Sequence, residues 1–116
     1  MSKRNPKVLL NDIIFSIENI FSYTKNYDSL TFKNDRKTVD AVVRNLEIIG
    51  EASNKISEEI KNNSDDISWR QIIGLRNKVI HEYFGVDESI IWAVVREDLP
   101  KLYEKLQKLN KQLNPE

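Results

Sequence analysis

Apolar residues recur every three or four positions along four segments of this chain, a spacing that gathers them on one face of an α-helix. The first segment runs from about Pro6 to Lys25. The second is predicted to be one long helix that is capped by Asn34 or Asp35 and ends near Lys61. Residues 26–35, which lie between the two, break the pattern and are predicted to form a loop.

The third and fourth segments carry clearer start and stop signals. Ser68 can cap a helix over "WRQIIGLRNKVIHEYFG", which forms either one helix or two short ones, because Gly74 costs about 1 kcal/mol relative to alanine. Gly85 is expected to end it and Asp87 to cap the next helix, which Pro100 should kink or restart. These segments predict an all-α protein, an antiparallel four-helix bundle with room for a short extra helix.

Composition narrows the function classes. The 116 residues contain no cysteine and a single histidine, so we expect no disulfide and no zinc site. Magnesium held by carboxylates stays open, but no clustered acidic motif suggests it, and we expect no cofactor. Residues 1–116 are predicted to form one domain, since 40% of them are hydrophobic. Asp12 interrupts the apolar run near the N-terminus, so neither a signal peptide nor a membrane span is expected, and we expect a cytoplasmic protein. The formal net charge is zero, so any nucleic-acid contact must be local.

The single histidine, His81, lies in the stretch "LRNKVIHEYF". On a helix, Asn77 and His81 are four residues apart and share a face, while Arg76 and Tyr83 share a neighbouring one. A guanidinium, a carboxamide and an imidazole can therefore converge at one helix edge, flanked by a phenol.

This set of groups suits a phosphodiester. Arginine offers phosphate a planar fork of donors, and histidine can carry a proton in either direction near neutral pH. RNA brings its own nucleophile, the 2′-hydroxyl, so these residues can cleave it without a metal ion. A plainer interpretation stays open at this point: His81 is a structural residue, Arg76 pairs with Glu82, and Tyr83 packs in the core.

The longer stretch "LRNKVIHEYFGVD" resembles the signature of the HEPN superfamily (higher eukaryotes and prokaryotes nucleotide-binding domains). It is similar above all to the HepT-like toxin branch, whose motif R-N-x-x-x-H-x-Y is filled by Arg76, Asn77, His81 and Tyr83. The stretches "VVRNLEIIGEAS", "WRQIIGLRN" and "IIWAVVREDLPKL" resemble the other helices of that branch, in the same order.

The resemblance implies a fold and a system. The fold is a helical bundle that forms a two-fold dimer or a higher oligomer, in which Arg76 and His81 of two protomers make one composite cleft. The activity is metal-independent endoribonucleolytic cleavage by the toxin of a HepT/MntA (type VII) toxin–antitoxin system. The partner is an MntA-like nucleotidyltransferase antitoxin, which inactivates the toxin by adenylylation of Tyr83. The added bulk and negative charge would then repel RNA phosphate.

Other residues are predicted to play lesser roles. Lys78 could contact the RNA backbone, although a solvated lysine is the default. Arg44 and Glu51 are expected to support the motif helix. Three aromatic residues could lie either at the dimer interface or in the core: Trp69, Trp92 and Phe84. The alternative function is a non-catalytic accessory subunit that binds a nucleotide or the nucleotidyltransferase at the same cleft.

Overall fold

A computed structural model of the chain describes residues 5–74 and 88–113. Every regular element within these ranges is helical, which confirms the all-α prediction. The elements are α1 (Pro6–Tyr23), α2 (Ser29–Lys33), α3 (Arg36–Lys55), α4 (Glu58–Asn62), α5 (of which residues 69–74 are described), α6 (Glu88–Ala93), a π-helical turn (Val94–Asp98) and α7 (Leu99–Leu113). None of the helices in these ranges has the length and apolar character needed to cross a membrane.

Local side-chain chemistry sets the ends of α1. The Asn5 side chain accepts a hydrogen bond from the Lys7 backbone N–H at 2.8 Å, and Pro6 occupies the first helical position, where no N–H is needed. At the other end, Thr24 donates its hydroxyl to the Ile20 carbonyl at 2.8 Å. The predicted face of α1 is buried as expected; its buried residues are Leu9, Leu10, Ile13, Ile14, Ser16, Ile17 and Ile20.

Helices α1 and α3 pack against each other in antiparallel directions. Asn19 of α1 lies beside Asn45 of α3, with their side-chain amides 3.5 Å apart, while Tyr27 after α1 bonds to Asp35 before α3. The buried apolar side chains of the described helices form one cluster, to which α7 adds Leu99, Leu106 and Leu109. Tyr103 of α7 joins α1, because its hydroxyl donates to Glu18 at 2.6 Å and its ring meets Phe21 edge-on. The bond to Glu18 raises the pKa of Tyr103.

The prediction of a plain loop over residues 26–35 was wrong, because this stretch contains α2. The Asp28 carboxylate accepts both the backbone N–H and the hydroxyl of Thr31, each at 2.8 Å, which starts the helix. Phe32 then turns inward and is fully buried. One buried phenylalanine and one cap are enough to order this five-residue helix. Most of the residues around them are polar, so the sequence shows no helical pattern there.

The prediction that the second helix continues to Lys61 was also wrong. Asp35 caps α3 as predicted, but the helix ends at Lys55 and Ile56 is extended, with ψ of 138°. Ile56 is buried in this conformation, and the Ser57 hydroxyl accepts from the Ile60 N–H to start α4. The apolar spacing continues through Ile56 and Ile60, so spacing alone does not reveal the break.

The chain stays helical through Pro100, and the predicted disturbance of the helix, a kink or a restart, takes the form of a widened turn before the proline. Proline has no N–H and cannot donate to the carbonyl four residues earlier. The chain widens before it into the π-helical turn, in which the Leu99 N–H bonds to the Val94 carbonyl, and α7 begins at Leu99. The predicted caps at Gly85 and Asp87 lie outside the described residues.

Candidate active site

All the residues of the predicted site lie outside the described ranges, between residues 74 and 88. They are Arg76, Asn77, Lys78, His81 and Tyr83, and Phe84 lies there too. Their roles therefore stay predictions from the sequence. The structure describes the chain before and after these residues, and side-chain contacts hold both of those segments in place.

A buried indole anchors the start of α5, the helix that leads toward the motif. Trp69 is only 6% exposed, and its Nε1–H donates to the Ser64 hydroxyl oxygen at 2.9 Å. Ser64 in turn donates its hydroxyl to the Ile60 carbonyl at 2.6 Å. The Ile72 N–H bonds to the Ser68 carbonyl at 3.1 Å, so the helix begins after Ser68, as predicted. The relay Ile60–Ser64–Trp69 ties the preceding turn to this start.

A second anchor lies after the motif, in α6 and the π-helical turn. Trp92 packs against fully buried Phe32 of α2 with ring centroids 5.0 Å apart, and Ile91 is buried beside it. The Arg96 guanidinium lies over the Trp92 ring, 5.4 Å from its centroid. Trp69 is thus a core residue, and Trp92 is partly buried against the same core. Of the core and interface positions considered for these residues, both pack against the core of a single chain.

Helix α3 carries polar side chains where a core helix normally has none. Asn45 is buried and donates from Nδ2 to the Ala41 carbonyl at 2.9 Å. Ser53 is fully buried, and its hydroxyl has no hydrogen-bond partner within the part of the chain that the structure describes. Arg44 and Glu51 are both exposed on this helix, and their predicted supporting role remains a prediction.

Two cavities flank α7 near the start of α5. One, of about 190 Å³, has an apolar floor that includes Ile67, Ile72 and Leu99, and its rim carries Asp98 with two lysines. The other, of about 270 Å³, is lined by Asp66, Lys101, Glu104, Lys105 and Lys108. We call them the mixed cavities, since each combines lysines with carboxylates.

A third cavity has no counterpart among the sequence predictions. It measures about 350 Å³, lies between the end of α1 and the π-helical turn, and is lined by Phe21, Thr24, Lys25, Val95, Arg96 and Pro100. We call it the basic cavity, because Lys25 and Arg96 are the charged side chains among its described lining residues. These two residues are far apart in the sequence, and no spacing pattern joins them. Within residues 5–74 and 88–113, no group of three His, Cys, Asp or Glu side chains is placed to hold a metal ion.

Comparison with known proteins gives consistent matches. A family model described as "Ribonuclease HepT-like" matches residues 13–109. A protein of Thermococcus cleftensis named "Probable ribonuclease HepT" is 45% identical over 109 residues, which cover 94% of this chain and 99% of the relative. The candidate RNase MJ1380 of Methanocaldococcus jannaschii is 40% identical over 107 residues, or 92% and 98% of the two chains. The candidate RNase TTE0752 of Caldanaerobacter subterraneus is 33% identical over 106 residues, or 91% and 95%. No solved structure gives a significant match.

Proposed function

Because the chain belongs to the HepT-like ribonuclease family, we propose that it is an endoribonuclease that cleaves RNA without a metal ion. The observation that carries the proposal is the complete set Arg76, Asn77, His81 and Tyr83, which falls inside the residues that the family model matches. Residues 1–116 act as one catalytic domain.

The chemistry requires two proton transfers. The 2′-oxygen of the ribose bonds to phosphorus while the bond from phosphorus to the 5′-oxygen breaks. One base takes the proton of the 2′-hydroxyl, and one acid gives a proton to the departing 5′-oxygen. The products are a 2′,3′-cyclic phosphate and a 5′-hydroxyl. Arg76 binds the phosphate oxygens and stabilises the charge that develops on them, and Asn77 orients the imidazole or the substrate.

His81 is the only histidine, so one chain cannot supply two imidazoles. A two-fold dimer brings two copies of His81 and two of Arg76 to one cleft, so that one imidazole acts as the base and the other as the acid. The doubled arginines also concentrate positive potential in a protein whose formal net charge is zero. We therefore propose the homodimer as the active unit.

Tyr83 is proposed as the control point. A nucleotidyltransferase antitoxin of the MntA type would transfer AMP from ATP to the Tyr83 hydroxyl oxygen. The new bond joins that oxygen to the α-phosphorus, pyrophosphate leaves, and the phenol proton is released. The attached phosphate brings negative charge next to the cleft, where it repels the RNA backbone. In this proposal the protein is the toxin of a toxin–antitoxin pair.

The test uses purified wild type and the variants His81→Ala and Arg76→Ala, incubated with RNA in excess EDTA. Wild type should cleave and leave 2′,3′-cyclic phosphate ends, which mass spectrometry of the products identifies, while both variants should lose nearly all activity. Arg70→Ala is the matched control, since Arg70 is an exposed arginine six positions before Arg76, and it should cleave like wild type. A metal requirement, or equal cleavage by His81→Ala, would exclude the proposed chemistry.

Tyr83 needs its own experiment. Co-expression with a nucleotidyltransferase of the MntA type should increase the mass of the chain by that of an adenylyl group, located on Tyr83 by fragmentation. The Tyr83→Phe variant keeps the ring but lacks the accepting oxygen, so it should stay unmodified and escape inactivation. The role of Tyr83 would be excluded if the partner modified another tyrosine, or if it inactivated the Tyr83→Phe variant as fully as wild type.

A further inference from the structure

The basic cavity has two cations and no carboxylate among the lining residues that the structure describes. Lys25 and Arg96 both line it and both are exposed to solvent. Within residues 5–74 and 88–113, neither side chain forms an ion pair. Glu18, a carboxylate of the same helix α1, accepts the Tyr103 hydroxyl instead. The two cations therefore remain available to an anion.

The mixed cavities show that this charge pattern is not a general consequence of a lysine-rich surface. Lys101 and Lys105 line both mixed cavities, but Asp98 lies in one of them, and Asp66 and Glu104 lie in the other. Among its described lining residues, each mixed cavity has one more lysine than carboxylates, so carboxylates offset most of its positive charge. The basic cavity has two cations and no carboxylate among its described lining residues, and this larger excess attracts negatively charged ligands.

Arg96 is held in place before any ligand arrives. Its guanidinium lies over the Trp92 ring, and that ring is fixed in turn by Phe32, which is fully buried. An arginine held over an aromatic ring can still donate N–H groups to two oxygens of a phosphate. Stacking also reduces the side-chain entropy that binding would otherwise cost.

The other described residues of the cavity wall add no charged group, and the Phe21 ring among them meets the Tyr103 ring edge-on. Val95 and Pro100 are apolar, and the Thr24 hydroxyl already donates its hydrogen to the Ile20 carbonyl. The charged donors of Lys25 and Arg96 are thus the groups that a ligand meets, and they carry no information about base sequence.

We propose that the basic cavity binds a phosphate of the RNA backbone, with Lys25 and Arg96, two residues outside the Arg76–His81 motif, as its ligands. The choice of RNA rests on the proposed ribonuclease function, since the phosphate of a free nucleotide has the same chemistry. The contact holds substrate along the surface of the protein and takes no part in bond cleavage.

The binding test uses a single-stranded 2′-O-methyl oligonucleotide, which lacks the attacking hydroxyl and cannot be cleaved, in fluorescence anisotropy over a series of NaCl concentrations. Lys25→Ala and Arg96→Ala should each weaken binding several-fold. Each should also reduce the slope of log affinity against log salt by about 0.7, the value for one lost contact to a single-stranded phosphate. Arg96→Lys keeps the charge and should keep most of the slope.

Lys101→Ala is the matched control, because it removes one positive charge from a cavity that also contains carboxylates. It should bind with the wild-type slope. The subsite is overturned if Lys25→Ala keeps the wild-type slope, or if Lys101→Ala lowers the slope equally, since the effect would then be one of overall charge. Lys25 is exposed, so its variant should fold, and circular dichroism checks that it does.

Two further arms separate this inference from the function it builds on. With cleavable RNA, Lys25→Ala and Arg96→Ala should raise KM several-fold and leave kcat unchanged, as expected for a contact made equally in the ground and transition states. If wild type cleaves no RNA but the slopes fall as stated, the ribonuclease proposal fails and the subsite stands. If calorimetry shows ATP binding that depends on Lys25 while the oligonucleotide slopes stay unchanged, the cavity takes a free nucleotide and the assignment to RNA is wrong.

Discussion

The starts of α3 and α5 are fixed by side-chain hydrogen bonds of opposite character. Before α3, the Asp35 carboxylate accepts the Thr38 N–H at 3.2 Å and the hydroxyls of Tyr27 and Thr38 at 2.5 and 2.7 Å. Before α5, neutral groups do the same work in the interior, where Trp69 donates to Ser64. The α3 start depends on a charge near water, and the α5 start depends on burial. Acid should therefore weaken the first, and loss of volume the second.

The largest effect is expected from emptying the α5 anchor. Trp69→Ala removes a buried indole and leaves a cavity, so the free energy of unfolding should fall by about 3–5 kcal/mol, as measured in urea. Because Trp69 lies in the helix that leads to the motif, RNA cleavage should fall even at temperatures where the variant stays folded. Exposed Arg70→Ala is the neighbouring control and should change stability by less than about 0.5 kcal/mol. A similarly small loss for Trp69→Ala would show that burial does not anchor this helix.

A smaller loss is expected from the relay that holds the indole. Ser64→Ala leaves the Trp69 N–H buried without its acceptor and should cost about 1–3 kcal/mol. Exposed Ser22→Ala makes the same chemical change outside the core and should be close to neutral. A double-mutant cycle with Trp69→Phe isolates the Ser64–Trp69 bond, and a coupling energy near zero would show that volume alone fixes the α5 start.

Acid should weaken the start of α3, which depends on the charge of Asp35. The hydroxyl of Tyr27, with the hydroxyl and N–H of Thr38, keeps the pKa of Asp35 below its ordinary value of 3.8. A lowered folded pKa means that this contribution to stability is fully present above 3.8 and is lost as the pH falls through the folded pKa. Thr31 similarly lowers the pKa of Asp28, mainly through its backbone N–H, so the α2 cap should weaken over the same range.

The variant Asp35→Asn tests this effect. Asparagine can still accept the Thr38 N–H but has no charge to lose. The variant should be less stable than wild type at neutral pH, by less than Ser64→Ala because Asp35 is partly exposed, and the difference should shrink as the solution is acidified. Urea unfolding at several pH values measures it. A difference that stays constant with pH would exclude the carboxylate as the cause.

The two helix starts also show what could be predicted from the sequence. The sequence narrows the cap of α3 to Asn34 or Asp35, because a cap is a local signal carried by one residue, and the structure selects Asp35, three positions before its donor Thr38. The bond from Trp69 to Ser64 was not foreseen, since it depends on how the turn at residues 62–68 folds back. The break after Lys55 was missed for a related reason: Ser57 fits a helix interior or a cap, and only the burial of Ile56 decides between them.

The same limit applies to the candidate site. A linear motif could be recognised because Arg76, Asn77, His81 and Tyr83 lie within eight consecutive positions. The basic cavity joins Lys25, in the turn after α1, to Arg96 of the π-helical turn, and only packing brings them together. Sequence reasoning therefore finds chemistry carried by neighbouring positions in the chain, and it does not find chemistry shared by segments that are far apart in it.

The smallest effect is expected at Gly74, the last described residue before the motif. A substitution there tests whether α5 must be flexible at this point. A Cβ built on Gly74 meets no atom of a non-neighbouring described residue within 4 Å, so alanine fits among the residues that the structure describes. Alanine is also the better helix former, and Gly74→Ala should raise stability by about 0.5–1 kcal/mol. If RNA cleavage stays at the wild-type level, α5 can be stiff up to the motif without loss of function. If stability rises while kcat falls, catalysis requires backbone flexibility at Gly74 as well as the buried Trp69 side chain. In that case the two helix starts differ in purpose as well as in chemistry.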